Sequence, residues 1–495
     1  MHTLQIKNLC YKYPNSSAAI FENIDLEFNQ GWTALVGSNG SGKSTLLKLI
    51  SKELYSEETV IKGNDLVYYC HQSTEYPPEN LNEFLTTYTS KAFKIRDLLE
   101  IEDSWIDRWN DLSHGERKRL QISIALYSEC DVLVVDEPTN HLDSKNKEIV
   151  RQALKSFGGI GILVSHDREL LDALSHYTVM IKDFKISTFK LGFSFAMQEY
   201  ENTIMHLQKK QELNDEKIKK LDRTIQTQKE KVSQSKKRTS KKNLGISDSD
   251  GREKINLAKL TGKDKNDGQT LKRMQSKQQQ LSKDSIVLDK QSNTGINFEV
   301  ERSKKAFPIV IEPNMLNISN TQRLSFPRLS IDKQDKIALV GDNGSGKSSF
   351  VRYFLSQLKF KDTYLYIPQE ITVDESKTLL KEVSELPKEQ KGEIFTLVKR
   401  LSSDPKQLMQ SRVPSPGEVR KLLVAKGLLS RPSLIILDEP TNHMDLKSIE
   451  ALERALQEYD GTVMIISHDK YFTRAVTMKT WSFEEITKGF FNITE

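Results

Sequence analysis

The stretch "VVDEPTNHLD" at residues 134–143 returns almost unchanged as "ILDEPTNHMD" at residues 436–445. Each copy begins with a short apolar run and continues with two acids, a pattern typical of a buried strand with carboxylates at its carboxyl end. A ten-residue stretch that recurs 302 positions later in a chain of 495 residues indicates two related halves.

Three further motifs recur in the same order, at offsets of 304, 302 and 302. They are "GSNGSGKS" (37–44) with "GDNGSGKS" (341–348), "SHGE" (113–116) with "SPGE" (415–418), and "SHDR" (165–168) with "SHDK" (467–470). Because both order and spacing are kept, we predict two homologous domains of α/β class with mostly parallel sheets, at 1–190 and 306–495.

The segment between the halves, 191–305, is predicted to be a long antiparallel helical hairpin with an extended tip. Basic residues exceed acidic ones by nine between 201 and 300, although the net charge of the whole chain is only +5. Residues at heptad-like spacing form two predicted seams. The first seam is Ile204, Leu207, Gln211, Asn214, Ile218, Leu221, Ile225, Gln228 and Val232, and the second is Leu271, Met274, Gln278, Leu281, Ser285 and Leu288.

Composition argues against several classes of protein. No apolar run approaches the roughly 18 residues that a membrane span requires. The start of the chain lacks the basic and apolar regions of a signal peptide. Three widely spaced cysteines, with no C-x-x-C, do not predict a disulfide framework or a zinc site. We therefore expect a cytoplasmic protein.

Phosphate binding is predicted from the two glycine-rich stretches, each of the P-loop form G-x-x-x-x-G-K-S. The backbone N–H groups of such a turn surround phosphate oxygens, the lysine reaches the β- and γ-phosphates, and the serine binds Mg²⁺. The predicted nucleotide-binding residues are Gly37, Ser38, Asn39, Gly40, Ser41, Gly42, Lys43, Ser44 and Thr45, and then Gly341, Asp342, Asn343, Gly344, Ser345, Gly346, Lys347, Ser348 and Ser349.

The acids after the two apolar runs complete this chemistry. Asp136 and Asp438 are predicted to act on Mg²⁺ through its waters, together with Ser44 and Ser348. Glu137 and Glu439 are placed to polarise the attacking water. The "SHGE" and "SPGE" stretches each fit a capping box that opens a helix, with serine at the N-cap and glutamate at the third helical position. Such a helix N-terminus attracts anions.

Together these motifs resemble those of the ATP-binding cassette (ABC) superfamily, over about three quarters of the chain. The resemblance implies two cassettes that pair within one chain and close head-to-tail on two ATP molecules. Each ATP would lie between one P-loop and the signature ("SHGE" or "SPGE") of the other half. The resemblance also assigns Gln72 and Gln369 to Mg²⁺ and the attacking water, His166 and His468 to the γ-phosphate, Tyr13 to adenine, and Ser113, Gly115, Ser415 and Gly417 to the phosphates.

Two positions depart from the family pattern. Pro416 stands in the second signature where glycine is usual, and proline supplies no N–H. We therefore expect the site formed by the first P-loop and the second signature to hydrolyse ATP differently. The offset of 304 places Asn317 where the first half has Tyr13, so adenine stacking is expected at the first P-loop only.

A fused pair of cassettes with a charged helical linker resembles the ABC-F family, whose members are cytoplasmic ATPases that act on the ribosome. The interval of about 40 residues between Gln72 and Ser113 leaves little room for the arm that some housekeeping members carry. The long linker resembles that of the antibiotic-resistance branch. The resemblance implies binding at the ribosomal E site, beside the P-site tRNA, with the linker tip near the peptidyl-transferase centre.

Charge in the linker is consistent with an RNA partner. The stretch 229–243 is strongly basic and its only acid is Glu230, so it is suited to rRNA phosphates.

Three hypotheses stay open: a ribosome-protection ATPase that confers antibiotic resistance, an ABC-F translation factor without a drug role, and the ATPase of a membrane exporter. The residues expected to matter in the linker are a basic shoulder (Lys236, Lys237, Arg238, Lys241, Lys242) and an apolar tip (Leu244, Ile246, Ile255, Leu257, Leu260).

Overall fold

Each half of the chain folds around a sheet built from the apolar runs described above. The computed structural model describes residues 3–14, 19–63, 66–105, 108–140, 142–182, 185–238, 263–283, 308–358, 364–403, 405–410 and 415–495. The chain divides into two compact units: Met1–Ala196 with Asn293–Glu495, and Met197–Ser292. The first unit holds both cassettes, and the second holds most of the helical segment between them.

The first cassette alternates strands and helices. Its elements are β1 (Leu4–Tyr11), β2 (Phe21–Phe28), β3 (Gly31–Gly37), α1 (Lys43–Ile50), β4 (Val60–Lys62), β5 (Val67–Cys70), α2 (Leu81–Thr86), α3 (Ser90–Leu98), two 3₁₀ turns (Asp103–Trp105, Trp109–Asp111), α4 (His114–Tyr127), β6 (Val132–Asp136), α5 (Ser144–Lys155), β7 (Ile160–Val164), α6 (Arg168–Leu174), β8 (Ser175–Lys182) and β9 (Lys185–Phe189).

The main sheet of this cassette has the order β5-β6-β7-β3-β8-β9 and is parallel except for the β8–β9 pair. Strands β6 and β7 are buried along their whole length, which explains why they read as continuous apolar runs. Parallel strands end at the same edge. The P-loop after β3 and the acids at and after the end of β6 therefore meet there.

The two linker helices are long and polar. They are α7 (Phe193–Arg238) and α8 (Lys263–Lys283). The Asn214 side chain donates to the carbonyl of Leu281 at 3.0 Å, and Gln278 bonds to Asp222, so the helices run antiparallel. All the described seam positions are less exposed than most of their neighbours, and Ile225 is 5 % exposed. The hairpin is therefore confirmed over these ranges, whereas Ser285, Leu288 and the tip lie outside the described residues.

The second cassette repeats the first. Its elements are β10 (Ile309–Ile311), β11 (Asn314–Asn317), β12 (Arg323–Phe326), β13 (Leu329–Ile331), β14 (Lys336–Gly341), α9 (Lys347–Gln357), β15 (Tyr364–Ile367), α10 (Val373–Glu385), α11 (Lys388–Arg400), α12 (Pro405–Gln410), α13 (Pro416–Leu428), β16 (Leu434–Asp438), α14 (Leu446–Glu458), β17 (Thr462–Ile466), α15 (Lys470–Val476), β18 (Lys479–Thr487) and β19 (Phe490–Thr494).

Its sheet has the order β11-β12-β19-β18-β14-β17-β16-β15. Six of its strands, in the order β15-β16-β17-β14-β18-β19, match the order β5-β6-β7-β3-β8-β9 of the first cassette, so the sequence duplication is also a structural one. The predicted α/β class with two cassettes is confirmed, while the predicted domain boundaries at 190 and 305 stay predictions. Within the described ranges, no helix is both long and apolar enough to cross a membrane.

Candidate nucleotide sites at the cassette interface

Both P-loops turn on glycines that leave no room for a side chain. Gly42 and Gly346 precede α1 and α9 with φ of 100° and 93°, a left-handed conformation that glycine adopts without strain. A Cβ on Gly42 would lie 2.7 Å from Ile20 Cγ2, and one on Gly346 would lie 2.5 Å from Ile318 Cδ1. The loop therefore passes close to an apolar side chain in each cassette and leads directly into the helix N-terminus.

The two P-loop lysines lie within their own loops. Lys43 Nζ donates to the carbonyls of Gly37 and Ser38 at 2.8 and 3.0 Å, and Lys347 Nζ donates to those of Gly341 and Asp342 at 2.7 Å each. Burial lowers the pKa of both lysines despite the nearby acids, so each ammonium group is poorly solvated. An incoming phosphate would compensate that charge.

Unlike the lysines, two serine hydroxyls in the loops are buried without a hydrogen-bond partner. Among the described residues, the hydroxyls of Ser41 and Ser345 form no hydrogen bond. Buried polar atoms normally have partners, so these two are available to a ligand in the loop. The lysines and serines together fit a nucleotide phosphate.

Oxygen ligands for a cation stand beside each loop. Ser44 Oγ donates to Asp136 Oδ2 at 3.4 Å, and Ser348 Oγ donates to Asp438 Oδ2 at 2.9 Å. The Tyr69 hydroxyl also donates to Asp136 Oδ2, at 3.1 Å. Within the described ranges, no group of three or more histidines, cysteines or acids is close enough to hold a metal. The arrangement fits Mg²⁺, which takes few protein oxygens and fills its other positions with phosphate and water.

The two candidate catalytic glutamates have strained backbones. Glu137 and Glu439 have φ of 48° and 47°, which costs free energy for a residue with a Cβ. Their N–H groups donate to the carbonyls of Val164 and Ile466, each at 2.8 Å. These bonds to the neighbouring strand fix the bend and direct both carboxylates into the sites.

Each glutamate lies against the histidine of the "SHD" motif. The backbone N–H of His166 donates to Glu137 Oε2 at 3.3 Å, and its ring Nε2 lies 3.4 Å from Glu137 Oε1. At the second site the corresponding distances between His468 and Glu439 are 3.5 and 3.7 Å. The ring of His468 also lies within hydrogen-bond distance of Asn343 Oδ1, at 3.1 Å.

Burial determines the protonation states of the glutamate and the histidine in each of these pairs. Desolvation, followed by the charge of Asp136, raises the pKa of Glu137 to about 8. Desolvation raises the pKa of Glu439 to about 7, against the opposing charge of Lys147. Desolvation lowers the pKa of His166 to about 3 and that of His468 to about 4. The imidazoles are therefore neutral near pH 7, and their contacts with the glutamates are not ion pairs.

The first P-loop faces the second signature. A cavity of about 480 Å³ is lined by Tyr13, Lys43, Gln72, Glu137 and His166 from the first cassette and by Ser415, Pro416, Gly417 and His443 from the second. The backbone N–H of Asn39 donates to Asp445 Oδ2 at 3.2 Å, a direct bond between the cassettes. At this site the head-to-tail arrangement predicted from the sequence is present.

The second P-loop faces a different set of residues. Its cavity, of about 380 Å³, contains Lys347, Ser348, Gln369, Glu439 and His468, and the first cassette contributes Thr139, Leu142 and Lys147. Ser113 and Gly115 are not among its described lining residues. A Cβ on Gly115 would touch Leu142 Cδ2 at 3.3 Å, which places Gly115 against Leu142. The assignment of Ser113 and Gly115 to the phosphates of the second ATP therefore stays a prediction.

The signature helices begin as predicted. Ser113 accepts from the N–H of Glu116 at 3.3 Å, and the Glu116 carboxylate accepts from the N–H of Ser113 at 2.7 Å. Ser415 and Glu418 form the same reciprocal pair, with Pro416 at the first helical position. Both capping boxes are confirmed.

Tyr13 lines the cavity of the first P-loop. Its hydroxyl is 3.1 Å from Thr45 Oγ1, and its ring contacts the edge of Tyr11. In the second cavity Ile318, one position after Asn317, is among the lining residues. Stacking on adenine by Tyr13 stays a prediction.

Two buried cations that were not predicted from the sequence connect each signature helix to the segment that carries Gln72 or Gln369. Lys118 Nζ donates to the carbonyls of His71 and Gln72 at 2.8 and 3.2 Å. Arg420, at the equivalent position, bonds to the carbonyls of Gln369 and Glu439. The sequence shows only that both halves have a basic residue at this position. The structure shows that this residue is buried inside each cassette.

One known family and several known proteins are similar to this chain. The sequence model of the "ABC transporter" family matches residues 21–140 and 324–442. The ATP-binding protein Uup of Buchnera aphidicola is 28 % identical, over 99 % of this chain and 82 % of its own. The ribosome protection protein VmlR of Bacillus subtilis is 26 % identical, over 95 % and 85 %. The erythromycin resistance ATP-binding protein MsrA of Staphylococcus epidermidis is 27 % identical, over 90 % and 91 %.

Solved structures share the fold. A complex of archaeal ribosomal stalk protein aP1 with the archaeal ribosome recycling factor aABCE1 contains a chain that superposes with a TM-score of 0.64 at 18 % identity, covering 98 % of this chain and 89 % of that one. The structure called RNase-L Inhibitor gives a TM-score of 0.62 at 17 % identity, with coverages of 98 % and 90 %. At this level of identity the likeness concerns the fold.

Proposed function

Because this chain belongs to the ABC-F family of twin-cassette ATPases, we propose that it binds the ribosome and protects it from antibiotics. One observation carries the proposal. The protein called a ribosome protection protein, VmlR, aligns over 95 % of this chain, so the alignment includes the linker as well as the cassettes. MsrA, called an erythromycin resistance protein, aligns over 90 %.

In this function, ATP hydrolysis drives the cycle of binding and release. In this proposal Mg²⁺ would be held by Ser44 and Asp136 at the first site and by Ser348 and Asp438 at the second, and Gln72 and Gln369 would also act on it. Mg²⁺ would offset the charge of the phosphates. Glu137 and Glu439 would take the proton of the attacking water, and the neutral His166 and His468 would contact the γ-phosphate.

Closure of the cassettes on ATP would set the position of the hairpin. The bond between Asn39 and Asp445 supports the closure of the cassettes, because it already joins the first P-loop to the second cassette. The basic shoulder (Lys236, Lys237, Arg238, Lys241, Lys242) would hold rRNA phosphates. The apolar tip would reach toward the peptidyl-transferase centre from the E site, beside the P-site tRNA. We also propose that the protein is cytoplasmic and acts as a monomer.

Antibiotic susceptibility of a sensitive host tests this function. The host would express the wild-type chain, a chain whose residues 244–262 are replaced by a short Gly-Ser turn, and the Glu137→Gln/Glu439→Gln variant. Inhibitors of the peptidyl-transferase centre should be tolerated only with the wild-type chain. The tip-replaced chain should keep its ATPase activity and its ribosome binding, because the cassettes and the basic shoulder are intact.

The same experiment distinguishes ribosome protection from a second candidate function, that of a translation factor without a drug role. Uup matches this chain as well as VmlR does, and its name carries no resistance role. If no drug class shows protection while the wild-type chain still binds ribosomes, the translation factor without a drug role replaces the protection proposal. A chain that does not bind ribosomes at all would favour the exporter ATPase instead.

A further inference from the structure

One lysine distinguishes the two ATP sites. Lys147 lies in α5 of the first cassette and lines the cavity of the second P-loop. The position 302 residues later holds Ile449, which is fully buried in the core of the second cassette. Among the described lining residues, the second cavity thus contains two lysines, Lys147 and Lys347, and the first contains only Lys43.

The ammonium group of Lys147 is held in place and charged. Its Nζ lies 3.0 Å from Asp167 Oδ2, and the two side chains are 22 % and 12 % exposed. Although burial opposes the charge, Asp167 outweighs it and raises the pKa of Lys147 above its usual value. Glu439 and Asp469 of the second cassette line the same cavity. Lys147 is therefore a cation that one cassette presents to the acids and the P-loop of the other.

We propose that Lys147 is a substrate-binding residue of the second ATP site, supplied by the first cassette, and that its ammonium group binds the terminal phosphate of ATP when the cassettes close. The ammonium group contacts one carboxylate, that of Asp167, and a phosphate with several negative oxygens is a stronger partner than a single carboxylate. The terminal phosphate is absent from ADP, so this contact would make closure at the second site depend on ATP. Among the described lining residues of the first site, the opposite cassette supplies no lysine.

Single-site turnover tests the proposal. The Glu137→Gln background leaves the second site to hydrolyse ATP, and the Glu439→Gln background leaves the first. Each background would carry Lys147→Met, which keeps the length of the stem but removes the charge, or Lys147→Arg, which keeps the charge. Lys145→Met is the matched control, because Lys145 lies on the same helix, 66 % exposed and paired with Glu100. Both backgrounds must first show reduced turnover, which tests the glutamate assignment separately.

The expected result is specific to one background. Lys147→Met should lower second-site kcat/KM at least about tenfold, the usual effect of losing a charge-assisted hydrogen bond, and Lys147→Arg should restore most of it. First-site turnover should be unchanged, as should both rates with Lys145→Met. If Lys147→Met lowers both sites equally, the lysine acts by holding Asp167 next to His166, and the proposal is wrong. Unchanged second-site turnover would also overturn it.

Nucleotide affinity gives a readout that does not depend on turnover. Fluorescent ATP and ADP analogues would be titrated, with Mg²⁺, against the Glu137→Gln/Glu439→Gln chain with and without Lys147→Met. Loss of the lysine should weaken ATP binding at one of the two sites about tenfold and leave ADP binding unchanged. Equal weakening of ATP and ADP, or no weakening of either, would contradict a contact with the terminal phosphate.

Discussion

At the scale of single residues, the chemistry depends on a glutamate in each site whose backbone conformation and burial are unfavourable in free energy. Glu137 and Glu439 combine a left-handed backbone, nearly complete burial and a neutral histidine 3.4 or 3.7 Å away. The left-handed backbone and the burial oppose stability, and together with the histidine they place a carboxylate of raised proton affinity beside the P-loop. Such a cost is expected where function fixes the geometry.

Replacing both glutamates by glutamine should separate binding from turnover. An amide keeps the shape of the side chain but cannot accept the proton of water, so turnover should fall at least about a hundredfold. ATP binding should persist, because the P-loop lysines and serines are unchanged. Phosphate release and nucleotide titration measure the two effects. Wild-type turnover in the purified double variant would show that neither residue is the base.

The pKa shifts predict a rising dependence of turnover on pH. A general base works in its deprotonated form, and the pKa values of Glu137 and Glu439 are raised to about 8 and about 7. The kcat/KM for ATP should therefore fall as the pH drops through 8 and 7, and reach a plateau above pH 8. His166 and His468 should add no inflection between pH 5 and 7, because their pKa values are lowered to about 3 and about 4. A flat profile from pH 6 to 9 would contradict the assignment of the bases.

At the scale of elements, the two signature helices begin alike but face their sites differently. Both carry a capping box, yet Ser415, Pro416 and Gly417 line the first cavity whereas Ser113 and Gly115 are not among the described residues that line the second. Pro416 removes one N–H from the first site. The asymmetry therefore has two sources, one visible in the sequence and one visible only in the structure.

Changing Pro416 to glycine should act on the first site alone. The added N–H gives the helix N-terminus one more donor, so the KM for ATP should fall about threefold in the Glu439→Gln background. The matched control is His114→Gly in the first signature, which should leave this value unchanged. Thermal denaturation of both variants checks that the fold is kept. An unchanged KM with Pro416→Gly would mean that the missing donor has no consequence.

Local patterns in the sequence predict some elements well and others not at all. The P-loops, the buried strands, both capping boxes and the hairpin seam depend on neighbouring residues, and the sequence predicts them. The bond from Asn39 to Asp445, the place of Lys147 and the positive φ of Glu137 depend on residues distant in the chain or on tertiary packing. The difference between Lys147 and Ile449 is present in the alignment of the two halves. That Lys147 lines the second cavity is visible only in the structure, because this cavity includes residues of the first cassette.

At the scale of the whole molecule, two ATP sites share one pair of cassettes, and a basic hairpin connects them. Neutralising Lys236, Lys237, Arg238, Lys241 and Lys242 should weaken ribosome binding and flatten its dependence on salt. For every phosphate that is no longer neutralised, the slope of log affinity against log salt should become shallower by about 0.7–0.9. Sedimentation at several salt concentrations measures the slope. An unchanged slope would show that this part of the linker does not contact RNA.

In the proposed function, ATP bound between the cassettes holds this protein on the ribosome. Cosedimentation of the purified Glu137→Gln/Glu439→Gln variant with ribosomes, in ATP and in ADP, tests it most directly. Because the variant binds ATP but does not hydrolyse it, we predict that it accumulates in the ribosome pellet with ATP and stays in the supernatant with ADP. Equal distribution in the two nucleotides, or absence from the pellet with ATP, would contradict the account.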